Sequence, residues 1–215
     1  EKELANCDEF MISVAFVTMS GITPLLQTLH DLAEKGVKGR ILTTNYLNFS
    51  EPKALTKLLE FPNIELKMYW SQPDSGFHTK GYIFKRNDIY RMIVGSSNLT
   101  MNALTKNEEW NTKLVSSENG EYADSILKQF NALWADKNSL TYDKFIDIYK
   151  EAYSISREQR KAISESKVVD ISAVKFQPNS MQLAFIENLS KIIASGENRA
   201  LLISATGTGK TFASA

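Results

Sequence analysis

Apolar and polar positions alternate along the first part of the chain in a way that separates strands from helices. Met11 to Val17, apolar at every position but Ser13, is of strand length and reads as a buried strand. Thr23-Pro24 then reads as a helix N-cap with proline at the first position, leading to Leu25, Leu26, Leu29, Leu32 and Ala33 at helical spacing and a stop at Gly36. Lys38 to Thr44 predicts a second strand, Ser50-Glu51-Pro52 opens a short helix through Leu58 and Leu59, and Ile64 to Trp70 predicts a third strand. Thr79 to Lys85 and Ile89 to Val94 are strands joined through the turn-prone Arg86-Asn87-Asp88, and Trp110 to Val115 is a further strand. Tyr122, Ile126, Leu127, Phe130, Leu133 and Trp134 lie along one face of an amphipathic helix. The β-α-β-α-β beginning followed by a hairpin implies an α/β domain with a mixed sheet flanked by helices.

After about residue 150 the pattern thins. Ser154 to Lys167 is rich in Ser, Glu, Lys and Arg, which makes 151–172 a linker or solvated helix between a first domain, 1–150, and a second piece, 173–215. In that second piece Ser180 caps a helix carrying Leu183, Phe185, Ile186, Leu189, Ile192 and Ile193, and Ala200 to Ser204 is a strand that enters a glycine-rich loop. The chain ends a few residues later, so it reads as part of a longer protein.

Composition narrows the class. The 215 residues hold 25 Lys plus Arg against 25 Asp plus Glu, and 43% are apolar, which excludes disordered and polybasic types. The zero net charge is a sum of unlike parts: −2 over 1–172, +2 over 173–215, and a local excess of +4 between His78 and Lys106. Cys7 is the only cysteine, so an internal disulfide and a cysteine-built zinc site are excluded and a cytoplasmic setting is expected. The longest apolar runs fall far short of the roughly 18 residues of a membrane helix, so no membrane association is expected.

Candidate chemistry centres on one of the two histidines. His30 lies late in the first helix with no partner evident in the sequence, and a surface or packing role is assigned to it. His78 opens His78-Thr79-Lys80 at a strand start, where residues two apart share a face, so imidazole and ammonium can meet one phosphate. The paired strand ends in Gly95-Ser96-Ser97-Asn98, which the hairpin returns toward His78, and Asn107-Glu108-Glu109 follows. In that order the three elements resemble the phospholipase D superfamily, whose pattern is His-x-Lys, Gly-Ser-x-Asn and Asn-x-Glu.

The resemblance implies a metal-independent phosphodiesterase in which His78 is the nucleophile forming a phosphohistidine. It makes Lys80 and Asn98 phosphate ligands, Ser96 a supporting donor and Glu109 the carboxylate that orients an imidazole. Such a site needs a second histidine to protonate the leaving oxygen, and in the family single-motif chains pair to share one site, so a homodimer is expected. Lys85 stands where the fuller family motif has Asp.

The second piece carries Ser204-Ala205-Thr206-Gly207-Thr208-Gly209-Lys210-Thr211 after its strand. Glycines at Gly207 and Gly209 let backbone N–H groups approach phosphates, Lys210 reaches the β and γ phosphates, and Thr211 binds Mg²⁺. This resembles motif I of superfamily 2 helicases, with Gln182 in the upstream segment that reads adenine. By that resemblance 173–215 is the first βα piece of a RecA-like ATP-binding domain of type III restriction-enzyme kind. ATP and Mg²⁺ belong to the intact helicase, the hydrolytic machinery being absent from the piece.

The two resemblances together imply a DNA-directed nuclease domain attached to a helicase or restriction-type enzyme. The alternative is a catalytically inactive DNA-binding or dimerisation module, motivated by Lys85 and by the basic residues Arg86 and Arg91.

Overall fold

A computed structural model describes residues 1–71, 77–165, 180–197 and 199. It divides into two compact units, Glu1–Ile163 and Ser164–Ala215. The first contains β1 (Glu9–Val14), α1 (Met19–Ile22), α2 (Leu26–Glu34), β2 (Lys38–Thr44), α3 (Pro52–Leu58), β3 (Ile64–Tyr69), β4 (Lys80–Arg86), β5 (Ile89–Gly95), β6 (Asn111–Ser117), α4 (Glu121–Ala135), β7 (Ser139–Thr141) and α5 (Tyr142–Glu165).

The strands form one seven-stranded sheet in the order β6-β5-β4-β1-β2-β3-β7. The β1, β2 and β3 strands run parallel, while β4 turns against β1 and starts the antiparallel meander β4-β5-β6. This is the mixed α/β sheet the sequence predicts. Side chains leaving β1 alternately enter two cores. Phe10, Ile12 and Val14 pack with Leu29, Leu32, Leu55, Leu58, Phe145 and Tyr149 from the helices on one face, and Met11 packs with Ile83, Met92 and Phe130 on the other, α4 side. Burial on both sides is why β1 is apolar from Phe10 to Val14 except at Ser13.

Several boundaries differ from expectation for identifiable reasons. The first helix begins five residues before Pro24: Thr18 is the N-cap, its hydroxyl accepting from Gly21 N–H at 3.2 Å. Pro24 has no N–H to continue an α ladder, so Thr23–Leu25 tightens into a 3₁₀ turn before α2 resumes. The hairpin connection is Asn87-Asp88, with Asn87 at φ 51°, the left-handed conformation two-residue hairpins demand. β6 starts at Asn111 rather than Trp110, because Trp110 is held in the bend by Ser96. The short strand β7 was not predicted, and residues 151–165 continue α5 as a helix. Tyr149 of α5 is fully buried and its hydroxyl donates to the Ser50 carbonyl at 2.7 Å.

In the second unit α6 (Ser180–Ala194) includes Ser180 itself. The expected strand at 200–204, the phosphate loop with Gly207, Gly209, Lys210 and Thr211, and residues 166–172 of the linker lie outside the described residues. Gln182 falls on the first turn of α6, and its side chain lies outside them too. Among the described residues no helix is long and apolar enough to cross a membrane.

Candidate active site

The candidate residues gather at one end of the sheet, where β4 and β6 begin and β1 and β5 finish. Lys80 is the first residue of β4, in register with Val14 at the end of β1. His78 lies just before the strand, on a segment pinned to β1 by the hydroxyl pair Ser13 and Thr79 at 2.6 Å. The Lys80 ammonium reaches back to His78, 2.8 Å from Nδ1 and 3.1 Å from the carbonyl oxygen.

An ammonium only donates, so Nδ1 is the acceptor and the ring proton sits on Nε2. Burial, then the neighbouring Lys80 charge, holds His78 below the ordinary imidazole range, which favours the neutral ring. Burial likewise lowers Lys80, with the Glu109 carboxylate opposing that shift. Tyr82 is pushed up by burial and by the same carboxylate. The electrostatic reach of Glu109 to both Lys80 and Tyr82 places the third sequence element in the same locality as the first.

The Gly95-Ser96-Ser97-Asn98 segment is locked to what precedes β6. Ser96 N–H donates to the Trp110 carbonyl at 3.1 Å, and Trp110 N–H donates to Ser96 Oγ at 3.1 Å. The Ser96 hydroxyl donates to Glu109, whose other oxygen accepts from Asn107 Nδ2 at 3.3 Å. Gly95 is obligatory here, since a Cβ on it would lie 2.1 Å from the Trp110 carbonyl oxygen. Asn98 Oδ1 accepts from Phe16 N–H at 3.2 Å, which leaves its amide NH₂ as the donor face. The next residue, Leu99, bridges to Val17, and Gly21 lets α1 approach that strip, its absent Cβ facing the Leu99 carbonyl at 2.1 Å.

The geometry thus pairs His78 with Lys80 and Ser96 with Glu109, and fixes Asn98 from β1. Within the chain Glu109 bonds to Ser96 and Asn107 and makes no hydrogen bond to His78. Sequence reasoning passed over several supporting residues. Buried Ser97 accepts from Asn111 Nδ2 at 2.8 Å and its carbonyl accepts from the Tyr82 hydroxyl at 3.0 Å. The signal available was alternation: Tyr82 lies two residues beyond Lys80 on the same face of β4.

Lys85, at the far end of β4, bonds to Glu118 at 2.6 Å and stands over the Tyr90 ring, remote from His78 and Lys80. His30 is exposed and, contrary to expectation, does have an acidic neighbour, Glu34 at 3.8 Å; the i,i+4 spacing on α2 was the overlooked signal.

Comparison with known proteins gives two family matches. A family model described as cardiolipin synthase, PLD-like domain, matches residues 3–134, and one described as type III restriction enzyme, res subunit, matches residues 175–215. Similar solved structures include NucT from Helicobacter pylori, at 15% identity and a TM-score of 0.49 over 65% of this chain and 86% of that one. Phosphatidylserine synthase of Haemophilus influenzae Rd KW20 aligns at 13% identity and a TM-score of 0.47, over 74% of this chain and 42% of its own. Yeast tyrosyl-DNA phosphodiesterase aligns at 19% identity and a TM-score of 0.42, over 87% of this chain and 44% of its own. The chain therefore spans less than half the length of the latter two. No curated protein matches the chain.

Proposed function

The chain belongs to the PLD-like domain family, whose model covers residues 3–134, and from that membership we propose that its first unit is a metal-independent phosphodiesterase that cleaves DNA. The observation that carries the reading is the convergence at one sheet end of a neutral imidazole touching an ammonium, an amide donor and a serine–carboxylate pair.

As arranged without substrate, the Lys80 ammonium occupies Nδ1, so Nε2 carries a proton and does not attack. A phosphodiester oxygen, being anionic, competes for that ammonium better than a neutral ring nitrogen does. Lys80 then moves to phosphate, the ring proton relocates to Nδ1, and the freed Nε2 lone pair attacks phosphorus as the leaving oxygen departs. Lys80, Asn98 and Ser96 donors stabilise the charge on the equatorial oxygens.

The departing alkoxide needs a proton, and each chain offers one histidine at this site. A second copy of the chain therefore supplies the other histidine in a shared, twofold site, as an imidazolium that gives its proton to the leaving oxygen and regains one from the attacking water in the second step, with Glu109 orienting one of the pair. Water then displaces the phosphoryl group from His78, regenerating the ring. The match to the res subunit of a type III restriction enzyme over residues 175–215 favours DNA in a cytoplasmic helicase-linked setting, with ATP and Mg²⁺ used by the intact motor through Gln182, Gly207, Gly209, Lys210 and Thr211.

The test is cleavage of radiolabelled single- and double-stranded DNA in excess EDTA, with a search for an acid-labile phosphoenzyme. The expected result is cleavage by wild type, none by His78→Ala, and a label absent from that variant. A confirmed dimer that cleaves neither substrate refutes the reading.

A further inference from the structure

Two aromatic side chains stand in solvent beside this site, and packing explains neither. The Trp110 side chain is left almost wholly in water, the residue being 89% exposed, although its backbone is pinned in both directions to Ser96 and its neighbour Glu109 accepts the Ser96 hydroxyl. Around it Lys106, Asn107, Glu108 and Asn111 are exposed as well, a polar setting unlike the charge-depleted core of a protein interface.

Tyr46, 42% exposed, lies on the opposite element with its ring centroid 6.3 Å from that of His78. The loop presenting it is costly: Leu47 and Asn48 are consecutive non-glycine residues in the left-handed region, at φ 55° and 48°. Such backbone persists only where its surroundings over-determine it.

Those surroundings are contributed chiefly by α5. Arg160 donates to the carbonyls of Leu47 at 3.0 Å and Asn48 at 3.2 Å, and its guanidinium stands 4.6 Å over the Phe49 ring. Ser156 accepts from Asn48 Nδ2 at 2.9 Å. From the other side Thr44 Oγ1 accepts from Tyr46 N–H at 3.2 Å, and Asn45 Oδ1 accepts from Ser71 N–H at 2.7 Å. A rigid mount thus holds an exposed phenol ring beside the histidine.

We propose that Tyr46 and Trp110 are base-stacking residues that grip the nucleotides adjoining the scissile phosphate, so that the substrate of this site is an unpaired strand. In a duplex the bases already stack on one another and their faces are closed; in a single strand each base offers a free π-face to a ring of any orientation the chain can reach. Stacking tolerates any base, so this grip selects strandedness rather than sequence. Arg160 is a positioning residue that acts through the Tyr46 loop; its planar fork bonds the two carbonyls from separate nitrogens while lying over the Phe49 ring, a geometry the point charge of a lysine does not reproduce. The proposal rests on the phosphodiesterase reading above, and its test separates the two.

The experiment compares, for the full chain, steady-state cleavage of a single-stranded oligonucleotide with one made abasic on either side of the cut. The Tyr46→Ala and Trp110→Ala variants each raise KM about tenfold with little change in kcat, the size expected for loss of one stacked base. The abasic strand costs wild type a similar factor and costs the matching variant nothing further. Arg160→Ala and Arg160→Lys both reproduce the Tyr46→Ala increase. In parallel, quenching of intrinsic tryptophan fluorescence by oligothymidylate is present in wild type and lost in Trp110→Ala, a readout independent of catalysis.

Unchanged KM in both alanine variants, or quenching that survives Trp110→Ala, overturns the proposal while the phosphodiesterase reading stands. Conversion of the dimer to monomer by Trp110→Ala overturns it also, because the indole would then belong to a contact between copies. Absence of cleavage by wild type with quenching intact refutes the nuclease reading and leaves the stacking site supported.

Discussion

Replacing Gly95 by alanine tests whether the Gly-Ser-x-Asn element is built for close approach. The added Cβ would lie 2.1 Å from the Trp110 carbonyl oxygen, 2.4 Å from Asn111 Oδ1 and 2.7 Å from Asn111 Cα. Two of the three are backbone atoms, so no side-chain rotation relieves the overlap. The start of β6 must withdraw by about an ångström, a small-to-large strain of about 1–3 kcal/mol. Because β6 is an edge strand it has room to withdraw, which keeps the cost within that range.

For a domain of this size the corresponding fall in melting temperature is about 2–12 °C. The same displacement stretches both Ser96–Trp110 hydrogen bonds and carries Glu109 away from Ser96. A misplacement of that order at a reacting centre lowers turnover by about a hundredfold. Gly81 is the internal control: it lies in β4 beside Lys80, yet a Cβ on it meets nothing within 4 Å. Gly81→Ala therefore melts at or above the wild-type temperature, since it loses less chain entropy on folding. Calorimetry and DNA cleavage on both variants decide the matter. A Gly95→Ala protein with wild-type melting and turnover refutes the close-approach argument, and a Gly81→Ala protein as damaged as Gly95→Ala refutes it equally.

Two further outcomes follow from ionisation. Burial and the Lys80 charge hold the His78 pKa low, so the neutral, attacking ring persists to lower pH than an ordinary imidazole allows. Lys80→Met removes that charge, and the acid limb of the pH profile of kcat/KM moves to higher pH on a reduced plateau; a limb that stays or moves lower contradicts the contact. Cys7, buried and donating to the Leu4 carbonyl at 3.1 Å, is pushed up to about 11 by burial first and then by Asp8 and Glu9. At pH 8 it is about one-thousandth thiolate, so Ellman's reagent labels it only after unfolding, and prompt labelling of the native protein would show the site open.

How far the sequence carried depended on what each feature rests on. Strands β2, β4 and β5 were readable almost to their ends because alternation and a turn signal bracket them, whereas β7 is three residues long and exists only through its pairing to β3. Thr23-Pro24 predicts a helix start five residues late, since the proline sits inside a 3₁₀ turn whose α-helical entry depends on the Thr18 hydroxyl. The polarity of residues 151–165 left linker and solvated helix as alternatives; the segment is helical, continuing the α5 helix whose buried Tyr149 anchors it to the core. At the site, His78, Lys80, Ser96, Asn98 and Glu109 were legible because their chemistry is in their identities and order. What holds them was not. Tyr82, Asn111, Ser13 and Arg160 act through contacts spanning 14 to 113 positions; alternation from Lys80 places Tyr82 on the right face, but no local pattern names the partner of any of the four.

The charge distribution shows why that distinction matters for function. The excess of +4 between His78 and Lys106 suggested a basic patch, but in the fold it disperses. Lys80 stands at one end of β4 and Lys85 and Arg86 at the other, about 17–20 Å away along an extended strand. The acidic N-terminal segment meets the middle of the meander, where Glu3 pairs with Arg91 at 3.4 Å and with Lys113, and its far end, where Asp8 accepts from Asn87 N–H at 2.6 Å. Lys85 is held by Glu118. Lys85, Arg91 and Lys113 are engaged at short range, so removing one of these mainly strands its acidic partner and does little to a distant phosphate screened by solvent, while Arg86 and Lys106 are exposed. The motive for a purely electrostatic DNA-binding module weakens accordingly. Lys80 differs, because its contact is a neutral imidazole and its nearest carboxylate is shared with Ser96 and Asn107. In the proposed reaction Lys80 leaves the imidazole when a phosphate arrives, and the same transfer frees His78 to act as the nucleophile.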